Sequence, residues 1–187
     1  QGVSSAASDV YKRQVNNVFK QVKGLDGIGF ITNIIQISSG DNHSLFLRND
    51  GSLYGCGLNI FGQLGIGNTT YAFNVLKQSS ITNVSYISAG VNTSLVIKND
   101  GTAWGCGRND TGQLAQGVIY TLASSFIPIM DVGFSNQMSN VSQVQAGGSW
   151  SLFLKNNGTC YASGGSSNIR SMYQILTGNT CNFTITY

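Results

Sequence analysis

One stretch of this 187-residue chain is written three times. The first copy runs from Gln36 to Gly40 and through His43-Ser44-Leu45-Phe46-Leu47. It continues as Arg48-Asn49-Asp50-Gly51-Ser52-Leu53-Tyr54-Gly55-Cys56-Gly57 and closes on Asn59, Gly62-Gln63-Leu64 and Gly67. Fifty residues later the second copy reads Ser94-Leu95-Val96-Ile97-Lys98-Asn99-Asp100-Gly101-Thr102-Ala103-Trp104-Gly105-Cys106-Gly107, then Asn109, Gly112-Gln113-Leu114 and Gly117. A third, worn copy follows fifty-seven residues on, with Ala146-Gly147, Ser151-Leu152-Phe153-Leu154-Lys155-Asn156-Asn157-Gly158-Thr159-Cys160-Tyr161 and Ser163-Gly164. A period this long, made of short apolar runs and glycine turns, excludes one irregular domain and points to stacked blades or arrays.

Each copy predicts an antiparallel hairpin. Ser-Leu-Phe-Leu and Ser-Leu-Tyr alternate as half-buried strands do, and Asn-Asp-Gly or Asn-Asn-Gly lies between them. The dipeptides Asp-Gly and Asn-Gly predict type I′ turns. Gly55 and Gly57, like Gly105 and Gly107, bracket a cysteine and suit a bend or close backbone approach at a strand end. Strands are expected over 33–38, 84–88 and 141–145. Simple alternation places Ile35 with Ile37, and Val84 with Tyr86, on one face. No run has competing helical periodicity.

At these residues the chain resembles the RCC1 (regulator of chromosome condensation) repeat family. The matching pattern is Gly-x-x-His-Ser-Leu, Asp-Gly, aromatic-Gly-x-Gly-x-Asn and Gly-Gln-Leu-Gly, and the likeness covers roughly residues 18–165. The second copy departs at Thr93, where the family has His, and at Ala115, where it has Gly. The third carries Trp150 at the His position and Ser166-Ser167-Asn168 in place of the Gly-Gln-Leu-Gly loop. The resemblance implies a β-propeller, usually of seven four-stranded blades. The expected fold is therefore all-β, an incomplete, open propeller of about three antiparallel blades.

Residues 1–14 do not match the repeat and are expected to be a disordered tail or read-in sequence, without the apolar core of a signal peptide. Residues 15–187 form the expected partial propeller, with repeats centred on 34–83, 84–140 and 141–187. The segment from Val15 to Phe30 reads as the tail of a preceding blade. The chain then begins in mid-blade, so further blades of a longer chain are expected, because three blades leave raw sheet edges. Assembly with other copies is the alternative. The span 117–140 carries seven extra residues and predicts a longer loop, with a strand near 126–130; it is the first place to look for a binding insertion. Tyr173 to Leu176 and Phe183 to Tyr187 read as further strands.

Little here reads as chemistry. His43 is the only histidine, and Thr93 and Trp150 hold its place in the other copies, so it reads as a polar anchor at a strand start. Cys56, Cys106, Cys160 and Cys181 form no Cys-x-x-Cys pair, which argues against zinc. Cys56 and Cys106 recur at one repeat position, too far apart for a disulfide, and read as small buried filler. Cys160 and Cys181 could pair in an oxidising compartment. Asp50 and Asp100 belong to hairpin turns, and Asp110 lies in a loop, where a turn role outweighs a partner contact. The loop Gly62 to Gly67 lacks the Lys-Ser/Thr ending of a phosphate cradle. Sequons at Asn42, Asn92, Asn109 and Asn157 arise cheaply in a chain rich in Asn and Ser. Charged residues are 9% of the chain, far below the usual quarter, and the net charge of +3 is scattered. Lys12-Arg13 and Lys20 with Lys23 are expected to face solvent. Nothing points to a nucleic acid or membrane partner.

No catalytic, cofactor or metal residue is therefore expected. An intracellular setting and a protein partner are. The resemblance implies an interaction module, with a guanine-nucleotide exchange factor for a small GTPase as the alternative, since the founding member serves Ran. A light-sensor reading fails, because Trp104 is the strand aromatic of its repeat and Trp150 stands alone.

Overall fold

The computed structural model of the chain describes residues 20–117, 121–165 and 173–175. Among these residues there are twelve strands and no helix. Blade 1 holds β1 (Ile34–Ser39), β2 (His43–Arg48), β3 (Leu53–Leu58) and β4 (Ala72–Gln78). Blade 2 holds β5 (Val84–Ala89), β6 (Thr93–Lys98), β7 (Ala103–Asn109) and β8 (Thr121–Pro128). Blade 3 holds β9 (Val141–Ala146), β10 (Trp150–Lys155), β11 (Cys160–Gly164) and β12 (Tyr173–Ile175). Each blade is a four-stranded antiparallel sheet in chain order. The first strands β1, β5 and β9 adjoin one another, so the sheets fan out from a common axis. This is an open β-propeller arc of three blades.

Each blade has a leading face toward the preceding blade and a trailing face toward the following one. Joint 1–2 packs Leu45, Leu47, Leu53 and Ile81 against Val84, Ile87, Val96, Cys106 and Phe126. Joint 2–3 packs Leu95, Ile97, Ala103, Leu114 and Met138 against Val141, Val144, Ala146 and Phe153. Burial patterns follow from position in the arc. In β6, covered on both faces, Thr93 through Ile97 are all buried; in β2, covered on one, only His43, Leu45 and Leu47 are.

The reversals near residues 50, 100 and 157 are tight hairpins between paired strands, but not of type I′. Only Gly51, Gly101 and Gly158 take positive φ there. Gly51 N donates to Arg48 O at 3.0 Å and Arg48 N to Ser52 O at 3.0 Å, and the other two copies repeat this pair of bonds. These are three-residue loops ending in a left-handed glycine. The Asx side chain explains the choice, because Asp50 Oδ1 accepts from Ser52 N at 2.9 Å and Asp100 Oδ1 from Thr102 N at 2.9 Å. That local bond favours a right-handed conformation at the residue before glycine.

Two further expectations are corrected. Val84 and Tyr86 lie on opposite faces, since a bulge interrupts the register between them. Val84 enters joint 1–2, and Tyr86 packs against joint 2–3. The strand in 117–140 is β8, which starts earlier than expected and ends at Pro128, an outer position where proline costs no ladder bond. The extra residues are confined to 130–137. Ile129 N bonds Ala103 O as Ser79 N bonds Leu53 O, and Asn83 and Asn140 both take φ near 60° before the next blade. Between them Met130 bridges Gln137 to make a small hairpin.

Residues 22–31 form a second hairpin, with Lys23 bridging Phe30 and Leu25 lying parallel to Leu76 of β4. The expected preceding-blade tail therefore rests on the outer strand of blade 1. Lys20 and Lys23 are exposed as expected, with the Lys23 ammonium 4.5 Å from the Phe30 ring centre. Lys12-Arg13, the read-in segment 1–14 and the strand expected at Phe183 to Tyr187 lie outside the described residues.

Candidate functional site

The polar residues that recur in the sequence converge on the joints between blades. His43 opens β2, and its Nε2 is 2.8 Å from Ser94 Oγ of blade 2, both side chains buried. Ser94 Oγ donates its one hydrogen to Gln63 O at 2.6 Å. Ser94 must then accept from His43, which makes His43 the Nε2–H tautomer and leaves Nδ1 bare; no partner for that nitrogen is present among the described residues. Burial pushes the His43 pKa down to about 4.

A serine and a histidine 2.8 Å apart invite comparison with a nucleophile and its base. The geometry excludes it. Ser94 is fully buried, its proton is committed to a carbonyl, and among the described residues no carboxylate orients the imidazole. The pair is a bolt between blades, which agrees with the sequence expectation that His43 anchors a strand start.

The Gly-Gln-Leu-Gly loop is the second fastener. Asn59 Oδ1 accepts from Leu64 N at 3.0 Å, and Asn109 Oδ1 from Leu114 N at 2.8 Å, so the motif's Asn shapes the loop from within. The loop then docks on the next blade. Gly67 N donates to Ser124 O at 2.8 Å. A Cβ at Gly62 would stand 2.4 Å from Ser124 Cα, and one at Gly65 would stand 2.3 Å from the Phe126 ring. Glycine is needed for close approach as well as for the positive φ at both positions. At the axis, Ser38 Oγ accepts from Ala89 N and Ser88 Oγ from Ala146 N, both at 2.9 Å. Gln36 grips Ile87 with both amide atoms at 3.0 Å.

The other candidates fall into structural places. Asp50 and Asp100 sit in the hairpin turns, where hydrogen bonds from the Ser52 and Thr102 side chains hold their carboxyls below the ordinary value. Asp110 pairs with Arg108 of its own blade, whose guanidinium lies 5.2 Å from the Phe61 ring centre of blade 1. Cys106 fills joint 1–2, and burial drives its thiol well above the ordinary pKa. Cys56, its counterpart, is only half-buried, because the leading face of blade 1 has no neighbour in the arc; the buried-filler expectation holds for Cys106 alone. Cys56, Cys106 and Cys160 are free thiols, and Cys181 lies outside the described residues. Of the sequon residues, Asn109 is buried in its loop and Asn157 caps a hairpin by accepting from Thr159 N at 3.0 Å. Asn42 and Asn92 accept from Leu58 N and Arg108 N with their carbonyls. Trp104 bonds Thr102 Oγ1, and Trp150 is 48% exposed at the end of the arc.

Sequence reasoning missed two recurring sets. Ser38 and Ser88, like Ser94, act at joints, and their recurrence at fixed repeat positions was the available signal. Arg48 with Tyr54, Lys98 with Trp104, and Lys155 with Tyr161 stack a cation on an aromatic ring in every blade, at 6.0, 5.1 and 5.2 Å. Among the described residues no three His, Cys, Asp or Glu side chains group to hold a metal. A cavity of about 200 Å³ between the 22–31 hairpin and Arg48 is smaller than common ligand pockets.

The connection after β8 is also exposed. The 130–137 hairpin projects there with Val132 55% exposed. It is held firmly: Asp131 N bonds Asn136 O, Met138 N bonds Ile129 O, and Lys155 Nζ of blade 3 reaches Asp131 Oδ2 at 2.7 Å.

Comparison with known proteins agrees with this geometry. No curated protein matches the chain in sequence. Among solved structures, human WBSCR16 shares 23% identity over 76% of this chain and 37% of its own, with a TM-score of 0.62. Yeast RCC1 (Prp20), solved bound to Kap60, shares 22% identity over 80% of this chain and 38% of its own, with a TM-score of 0.64. Prp20p from Saccharomyces cerevisiae, solved in a study of its binding to Gsp1p and histones, shares 22% identity over 80% of this chain and 40% of its own, with a TM-score of 0.62. The chain thus spans about two fifths of these structures, and the likeness is one of fold. Two family models, each described as the regulator of chromosome condensation (RCC1) repeat, match residues 34–63 and 84–113 and residues 50–97 and 100–154. The second pair covers more than half of the chain, each match running from the hairpin turn of one blade into the second strand of the next, and the chain belongs to the RCC1 repeat family.

Proposed function

We propose that the chain is a non-catalytic scaffold that presents its rim to a protein partner. One observation carries this reading: the polar residues that recur with the repeat are spent on the joints, turns and loops of the fold itself, while the residues added to the repeat form a braced, apolar-tipped hairpin at 130–137. A rigid disc with a projecting loop binds by shape and needs no reacting group. In this reading residues 15–187 form one portion of a propeller, and residues 1–14 stand outside it.

The test replaces 130–139 with Ser80-Ile81-Thr82, the short connection that blade 1 uses between Ser79 and Asn83, so that Ile81 stands in for the buried Met138. Partner capture is expected to be lost while the unfolding midpoint holds. Capture unchanged by the replacement overturns the assignment of the rim.

Guanine-nucleotide exchange on a small GTPase is the second reading. It is supported by the family and by the likeness to Prp20p, whose study concerns binding to Gsp1p. Release of a fluorescent guanine nucleotide from a panel of small GTPases decides between the two. Acceleration by catalytic amounts of the chain, lost with the hairpin, establishes exchange; no acceleration leaves binding alone.

A further inference from the structure

Asn157 is the one asparagine of this chain followed by glycine, and it stands where the two earlier copies carry Asp50 and Asp100. All three turn residues are exposed. In the first two copies the following blade already contacts the turn, through Gly51 O and Gly101 O, so exposure belongs to the turn position itself. Asn157 Oδ1 accepts from Thr159 N at 3.0 Å, which folds the side-chain amide back along the Gly158 peptide.

The neighbouring cation acts differently in the third copy. Arg48, Lys98 and Lys155 hold one repeat position, two residues before the turn residue. Arg48 pairs with Asp50 of its own turn, Nη1 to Oδ2 at 3.3 Å. The Asp100 carboxyl is held below its ordinary value chiefly by the Thr102 hydroxyl and amide, with Lys98 adding to them. Asn157 is neutral, so Lys155 has no carboxylate in its turn. It reaches across the joint instead, and its Nζ donates to Asp131 Oδ2 at 2.7 Å. Asp131 opens the 130–137 hairpin, where its N also donates to Asn136 O at 2.8 Å. The neutral amide at 157 thus leaves Lys155 to brace that hairpin.

We propose that Asn157 is a self-modification site, and that its conversion to a carboxylate loosens the 130–137 hairpin. The Gly158 nitrogen gives its proton to solvent base and attacks Asn157 Cγ, unhindered by any Cβ of its own residue. The new N–C bond closes a succinimide, and the side-chain nitrogen leaves as ammonia with a proton from water. Water then opens the ring. Cleavage between the Gly158 nitrogen and Cγ leaves an aspartate at 157 with the main chain intact. Cleavage at the other carbonyl leaves isoaspartate, with the main chain routed through Cγ. In the closed turn Gly158 N is bonded to Lys155 O at 2.9 Å, so the attack proceeds from the opened hairpin tip and is slow. Either product puts a carboxylate in the turn, as Asp50 and Asp100 do in theirs, and Lys155 is then shared between it and Asp131.

Peptide mass spectrometry of the folded chain, aged in mildly alkaline buffer, tests the first step. The peptide holding Asn157 is expected to gain acid sooner than any other asparagine peptide. Asn157→Gln is expected to gain none there, because attack would need a larger, slower-forming ring. Amide hydrogen exchange tests the second step. Asn157→Asp is expected to speed exchange at Asp131 and Met138 about two- to fivefold, the range set by weakening one surface ion pair. Lys155→Met should give the same acceleration, and adding Asn157→Asp to it should give no more. Both readouts are made without a partner, so they stand apart from the binding test above. Acid that forms at 157 only in urea, or first at another asparagine, overturns the self-modification. Exchange in Asn157→Asp equal to wild type, or an acceleration that Lys155→Met leaves additive, overturns the loosening.

Discussion

Lowering the pH should loosen joint 1–2 through a single residue. His43 is folded with a pKa of about 4, against an ordinary 6.5, because burial disfavours its charged form. Between those values the unfolded chain holds a proton that the folded chain does not. Stability is therefore fully present above about pH 6.5 and falls as the pH drops toward 4. The gap corresponds to about 3 kcal/mol in total, of which about 2 kcal/mol is gone by pH 5. That is a large share of the stability of a domain this size. The chain has one histidine and no glutamate, and the Ser52 and Thr102 hydrogen bonds hold Asp50 and Asp100 below this range. Urea unfolding followed by tryptophan fluorescence at stepped pH should show the midpoint falling across this range. In His43→Asn the slope should vanish, with lower stability at neutral pH. A wild-type midpoint flat between pH 6.5 and 4.5, or a slope that survives in His43→Asn, would refute the burial argument.

Two pairs of substitutions separate the joint from its surroundings. Ser94→Ala strands the His43 N–H and leaves the Gln63 carbonyl with only the weak Cys106 thiol donor, and should cost about 2 kcal/mol, whereas Ser151→Ala removes a hydroxyl with no partner and should be neutral or slightly stabilising by urea titration. Gly62→Ala forces a left-handed alanine against the Ser124 backbone and should cost about 3 kcal/mol. Gly158→Ala meets nothing within 4 Å and should cost only the backbone strain, about 1 kcal/mol, measured the same way.

The sequence by itself determined the all-β class, the recurrence of one unit three times and the positions of the three hairpins. A repeated pattern of period-two apolar runs and Asx-Gly turns needs no distant contact to be read. It also placed His43 as an anchor rather than a reactant, since Thr93 and Trp150 occupy its equivalents. Only the tertiary structure decided what the anchor holds. Ser94 stands fifty-one residues away in sequence, and the order of donation from His43 through Ser94 to Gln63 exists only when two blades meet. The bulge that turns Tyr86 away from Val84 was illegible because it breaks the very alternation used to read strands. The difference between Cys56 and Cys106 was illegible for another reason. Identical repeat units present identical residues, and their burial depends on whether a neighbour in the arc covers that face, which no local pattern encodes.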